Sequence, residues 1–181
     1  MMDQEQLQRI LDEVLIAHKV EQSRALDYYF GFMHTLAEAH YVPAKEFFLM
    51  GLDDYRSGWR EFCLKAIGFH YNLSSEEHIL NKIRQMCLTD ENEFVRLTAT
   101  GVLGAQSHWP DFTLILVLQN DASMGVRISA LGALLDLAHL PSYIVIEEEK
   151  KLQQNGIEPD MAQLKRIIEE RGPDKTLLLD I

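Results

Sequence analysis

The sequence predicts an all-α chain folded as a single domain, an α-solenoid built from helix pairs. Three observations predict it. Apolar residues recur at helical spacing along most of the chain, while strand signals are weak throughout. One pattern occurs three times without gaps, at offsets of 36 and 31 residues. A period of that size with two helices per copy is the signature of an α-solenoid. The 181 residues are 47% hydrophobic and 25% charged, which suits one soluble globular domain and lacks the signature of disorder.

The first helix is predicted from Leu7, Ile10, Leu11, Val14 and Leu15, which follow the i, i+3, i+4, i+7, i+8 spacing of one face. A second helix starts near Ser23 as N-cap and runs to about His40. Leu26, Tyr29, Phe30, Met33, Leu36 and Ala37 share one of its faces, and Tyr28 and Phe32 lie on another. A helix apolar on two faces is expected to be sandwiched, or to offer one face to a partner. Pro43 suits the first turn of a short helix carrying Phe47, Phe48 and Leu49.

The repeated pattern begins at Asp54. In the three copies Asp54, Asp90 and Asp121 each stand five positions before an apolar residue (Trp59, Val95, Val126), and Arg60, Arg96 and Arg127 follow it directly. A small residue (Cys63, Ala99, Ala130) comes four later, and apolar residues come seven and eight later. These positions share one helix face, and the small residue lets a neighbouring helix approach. The Asp is expected to cap the helix start and meet its positive dipole end. A second helix follows in each copy. Ser74 with Glu77 reads as a capping box before Ile79, Leu80, Ile83 and Met86. Trp109-Pro110-Asp111 opens Phe112 to Gln119, and Pro141-Ser142 opens Tyr143 to about Gln154, closed by Asn155-Gly156.

This motif, D-x4-[VW]-R-x2-[small]-x2-[apolar]-[apolar], resembles the HEAT-repeat superfamily, in particular the short bacterial form labelled PBS-lyase HEAT-like. The resemblance covers Asp54 to roughly Gln154. Leu135 stands where the first two copies have Gly68 and Gly104, and Trp59 stands where Val is usual. The resemblance implies stacked antiparallel helix pairs in a right-handed superhelix, with the second helices lining the concave surface and protein binding as the common function. The expected organisation is N-terminal capping helices over 1–53, three HEAT-like repeats over 54–156, and a capping helix with a tail over 157–181. In that last part Pro159-Asp160 starts a helix with Met161, Leu164, Ile167 and Ile168 on its apolar face, and Gly172-Pro173 stops it. The apolar tail from Thr176 to Ile181 is expected to cap the last repeat, with a docking peptide as the alternative.

Charge narrows the function. Seventeen Lys and Arg against 28 Asp and Glu give a net charge of −11. That argues against a nucleic-acid backbone or an anionic membrane surface as ligand. The acids gather toward the two ends, while residues 109–141 hold only Asp111, Asp121, Asp136 and Arg127. That stretch is expected to be covered on several sides, and an apolar patch exposed there would be a partner site. Cys63 and Cys87 form no CxxC pair, no secretion signal opens the chain, and no apolar stretch approaches the ~20 residues of a membrane span. A soluble protein of the reducing cytoplasm is expected.

No catalytic, cofactor or metal site is expected. Arg60, Arg96 and Arg127 with their Asp partners invite reading as an anion-binding ladder, but residues that follow the repeat period rather than converge on one point serve structure. The histidines include no HExxH or HxxxH pair. His70, His108 and His139 occupy similar places after first helices, one repeat apart, too far to share a zinc ion, and a cation at a helix C-terminus is the plain reading. No His-Glu dipeptide occurs, so the iron chemistry of the HEAT-like deoxyhypusine hydroxylases is not carried over. Cys63 sits in a buried small-residue slot, Cys87 ends a helix without a histidine base, and no GxSxG or glycine-rich phosphate loop appears. The expected function is a non-enzymatic interaction module for a basic protein, possible in an immunity-type form, with Glu76, Glu77, Lys82 and Gln85 as contact residues. The alternatives are a bilin lyase or chromophore chaperone, which the PBS-lyase label implies, and a HEAT-like nucleic-acid or repair protein.

Overall fold

Helical spacing in the sequence becomes helices at nearly every expected place. The computed structural model describes residues 2–19 and 26–181. It contains α1 (Gln4–Lys19), α2 (Leu26–Glu38), α3 (Val42–Gly51), α4 (Ser57–His70), α5 (Glu77–Thr89), α6 (Glu93–Gln106), α7 (Phe112–Asn120), α8 (Met124–Leu137), α9 (Ser142–Asn155) and α10 (Met161–Arg171), then a 3-10 helix over Lys175–Asp180. Among the described residues there is no strand, and no helix is long and apolar enough to cross a membrane. Ser23, the expected N-cap of α2, lies outside the described residues, as does the side chain of Tyr28.

The chain divides into two compact units, Met1–Asn72 and Leu73–Ile181. The first helix of the first aligned copy, α4, therefore falls in the first unit, and its second helix, α5, in the second.

In the first unit α2 packs on α1, α3 and α4, and α3 packs on α4. Leu7, Leu11 and Val14 of α1 are buried as their spacing requires, together with Met33, Leu36, Phe47, Phe48, Trp59 and Cys63. On the first apolar face of α2 the Phe30 ring stacks on Phe62 of α4 at 4.5 Å, and on the other face Phe32 is half-buried. Pro43 occupies the first turn of α3, where its missing N–H costs nothing.

In the second unit α6 packs on α5 and α8, α8 packs on α7 and α9, and α5 packs on α7. α10 lies on α7 and α8 and carries the 3-10 helix. α8 is buried nearly all round, from Val126 through Leu131 and Leu135 to Leu137, as a helix whose only charged residues are Arg127 and Asp136 requires. Each fully buried leucine there contributes about 1.5–3 kcal/mol. Gly104 sits where α6 and α8 come close: a Cβ there would lie 2.7 Å from the Cβ of Ala133.

The helix starts differ from expectation in two ways. The repeated Asp residues do not cap the helices. Asp54, Asp90 and Asp121 each accept the backbone N–H of the residue two positions on, Arg56, Asn92 and Ser123, at 2.8–2.9 Å. Those residues are the N-caps. The Asp thus closes an Asx turn that aims the chain into the helix, and in the second copy the cap itself is Asn92, which accepts from Phe94 and Val95. The capping box is also displaced: α5 begins at Glu77 with Glu76 at the N-cap. Ser74 and Ser75 instead form the middle of a turn closed by the Glu76 N–H on the Leu73 carbonyl, at 2.8 Å.

The helix ends show what two histidines do. His40 and His139 have left-handed backbones, with φ of 47° and 59°. The N–H of His139 bonds to the Asp136 carbonyl and that of Leu140 to Leu135, which is the Schellman closure usually given to glycine. His40 and Tyr41 close α2 the same way on Ala37 and Leu36. His139 therefore serves this helix end through its backbone. Gly156 ends α9 with φ of 61°, as the Asn-Gly pair predicts. The tail lies on α10, with Leu177 and Leu178 half-buried, Leu179 exposed and the Lys165 ammonium donating to the Ile181 carbonyl.

Candidate functional site

α5 turns Ile79, Leu80, Ile83, Met86 and Cys87 inward, so its other face is available for contact. Of the four expected contact residues, Glu77 and Gln85 are exposed, and Glu76 and Lys82 are half-buried. Glu77 and Gln85 stand two helical turns apart on one face with Asn81 between them, and exposed Leu88 follows. Lys82 is turned away from that line.

The structure adds a residue that sequence reasoning missed. Arg84 donates to Glu77 at 2.6 Å, to Asn81 at 2.8 Å and to Asp111 at 3.1 Å. Asp111 is also the N-cap of α7, accepting from Thr113 and Leu114, and its side chain is 1% exposed. Arg84 thereby ties α5 to the start of α7. Burial alone would lower the Arg84 pKa, but the bonds from Glu77 and Asp111 outweigh it and raise it, so the guanidinium stays charged.

A cleft of about 360 Å³ opens beside this tie. Glu77 and Arg84 line it from α5, and His108, Trp109, Pro110 and Phe112 line it from the α6–α7 connection and the start of α7. Phe112 is 65% exposed. The Trp109 indole N–H is buried with no acceptor. Leu116, one turn on from Phe112, is 48% exposed. This is an apolar exposure within residues 109–141, the place where the sequence marks such a patch as a partner site. Its signal was the run Phe112 to Leu118, which holds more apolar side chains than one buried helix face uses.

The repeated arginines are occupied by protein. Arg96 grips Asp121 of the next copy in a two-pronged contact of 2.7 and 3.0 Å and bonds the Asp90 carbonyl of its own. Arg60 bonds the Asp54 and Tyr55 carbonyls. Arg127 reaches the Leu118 and Pro159 carbonyls and Glu158. Burial raises the Asp121 pKa, but the Arg96 bonds and the Ser123 N–H prevail and hold it below the usual carboxylate range.

The first unit holds two further clusters. Asp54 accepts from Arg56 and lies 2.7 Å from His18 Nε2, while the His18 ring meets Phe47 and Trp59 edge-on. Burial opposes ionisation of Asp54, yet the Arg56 and His18 bonds hold its carboxyl well below the usual range. His34, His40 and His70, distant in sequence, come together with His70 centroids 5.8 and 6.3 Å from the other two. Burial, then the two neighbouring imidazoles, lowers the His70 pKa. Among the described residues no group of three His, Cys, Asp or Glu is placed to hold a metal ion. Both cysteines are buried; burial pushes the Cys63 thiol up to about 12 and the Cys87 thiol up to about 11, so neither is a nucleophile near neutral pH. Comparison of the chain with protein-family models, with curated proteins and with solved structures gives no match.

Proposed function

We propose that the chain is a HEAT-like helical repeat acting as a non-enzymatic adaptor that binds a basic protein, or blocks one in the manner of an immunity protein. The repeat arrangement is supported by the second unit, where the first helices α6 and α8 pack on each other and the second helices α5 and α7 do likewise. Arg96 and Asp121 link one copy to the next, which fixes registry rather than offering charge to a ligand. The observation that carries the binding reading is the exposure of Glu77, Gln85, Phe112 and Leu116 on α5 and α7, the second helices of consecutive copies, in a chain of net charge −11. Exposed aromatic and aliphatic groups beside carboxylates suit a basic surface with apolar anchors, and the charge speeds its approach.

The test is affinity capture on the immobilised chain at low salt, followed by a salt gradient. The expected result is a basic protein that elutes as salt rises and is captured less well by the Glu76→Lys, Glu77→Lys double variant. Capture of acidic proteins only, or of a partner indifferent to both salt and charge reversal, would overturn the reading.

A further inference from the structure

We propose that the cleft beside α5 and α7 receives an arginine side chain of the basic partner, its guanidinium lying on Phe112 and its charge facing Glu77. The inference rests on the adaptor reading and names the place and the residue type through which it acts. Three observations lead to it. Glu77 and Asp111 line the cleft together with one guanidinium, Arg84, and one imidazole, His108; Asp111 is buried against Arg84, so Glu77 is the carboxylate that a cation can reach, in keeping with the acidic whole chain. Arg84 is engaged through Nε by Asp111 and through Nη1 by Glu77 and Asn81, which fixes the acidic wall in place. Glu77 itself has a side chain 67% exposed, so its outer lone pairs remain open to a second donor.

The walls select the kind of cation. Phe112, Trp109 and Pro110 present flat or ring surfaces, and a planar, weakly hydrated guanidinium stacks on such surfaces while a compact ammonium keeps its water. Leu116, one turn on from Phe112 along α7, is also exposed, which suits an apolar residue beside the arginine in the partner.

The experiment is calorimetric titration of the full chain at low salt with two acetylated, amidated peptides of equal charge, one alternating glycine with arginine and the other glycine with lysine. The expected result is tighter binding of the arginine peptide. Phe112→Ala should weaken it about two- to five-fold by removing the stacking surface, and Glu77→Gln by up to about five-fold. Glu169→Gln, an exposed charge change on α10, should leave it unchanged. Phe112 is exposed, so its variant is expected to fold, and circular dichroism verifies this. Equal affinity for the two peptides with no effect of Phe112→Ala, or equal weakening by Glu169→Gln and Glu77→Gln, would overturn the cleft as the site and leave the adaptor reading standing. Absence of binding by both peptides, with a basic protein still captured, also overturns the cleft alone. Failure of every basic probe at low salt overturns both.

Discussion

Asp121 shows how one side chain does two jobs in this chain. One carboxylate oxygen accepts the Ser123 N–H and closes the turn before α8, and both oxygens hold the Arg96 fork from the preceding copy. The side chain is 6% exposed, so the pair is little screened. Removing one partner of such a pair strands the other charge, at a cost of about 3 kcal/mol. The pH dependence follows from the folded pKa lying below the unfolded one. Protons then bind the unfolded chain more readily, so the stabilisation is complete above the ordinary carboxylate pKa and is lost as pH falls through the folded value. Urea titrations of the wild type and Asp121→Asn should therefore differ by a constant amount near neutral pH, and the gap should close below about pH 4. A gap independent of pH down to strong acid would mean that the carboxylate charge contributes nothing.

At the scale of the helix, close approach decides what each position tolerates. The repeat pattern puts glycine at Gly104, and the structure shows why: α6 and α8 meet there, and a methyl group would press on both the Cβ and the Cα of Ala133, at 2.7 and 3.0 Å. Backbone at that distance cannot swing aside as a long side chain can. Gly104→Ala should therefore destabilise the chain by about 1–3 kcal/mol despite the better helix propensity of alanine, measured as a lower urea midpoint. A rise in midpoint would show that the two helices separate easily. Helices themselves were legible because burial imposes the 3.6-residue period on Leu7, Leu11 and Val14 as firmly as on Leu164, Ile167 and Ile168. Their starts were less so. Asp90 and Asn92 are both good capping residues two positions apart, and local sequence does not say which one forms the turn and which the cap. The cleft was less legible still. Arg84 and Asp111 are 27 residues apart, and His34, His40 and His70 meet only through tertiary packing. No periodicity announces a contact of that kind. What the sequence did carry was the excess of apolar residues in α7, whose exposed members are Phe112, which lines the cleft, and Leu116, one turn further on.

For the whole molecule, the net charge of −11 acts over distances that no single contact reaches, and its effect belongs to approach rather than to residence. At about 0.01 M salt the screening length is about 30 Å, and at 0.15 M it is about 8 Å, so a basic partner senses the chain from afar only in dilute salt. Once docked, an arginine against Glu77 and Phe112 is held by contacts shorter than either length. Raising salt between those limits should therefore lower the association rate constant steeply, while changing the dissociation rate constant much less. Stopped-flow or surface-based kinetics with the captured partner separates the two. Phe112→Ala should do the reverse, speeding dissociation and sparing association, because a neutral ring adds nothing to long-range attraction. If salt acts mainly on dissociation, then the charge is engaged in the contact itself, and steering by the acidic surface is not how this chain finds its partner.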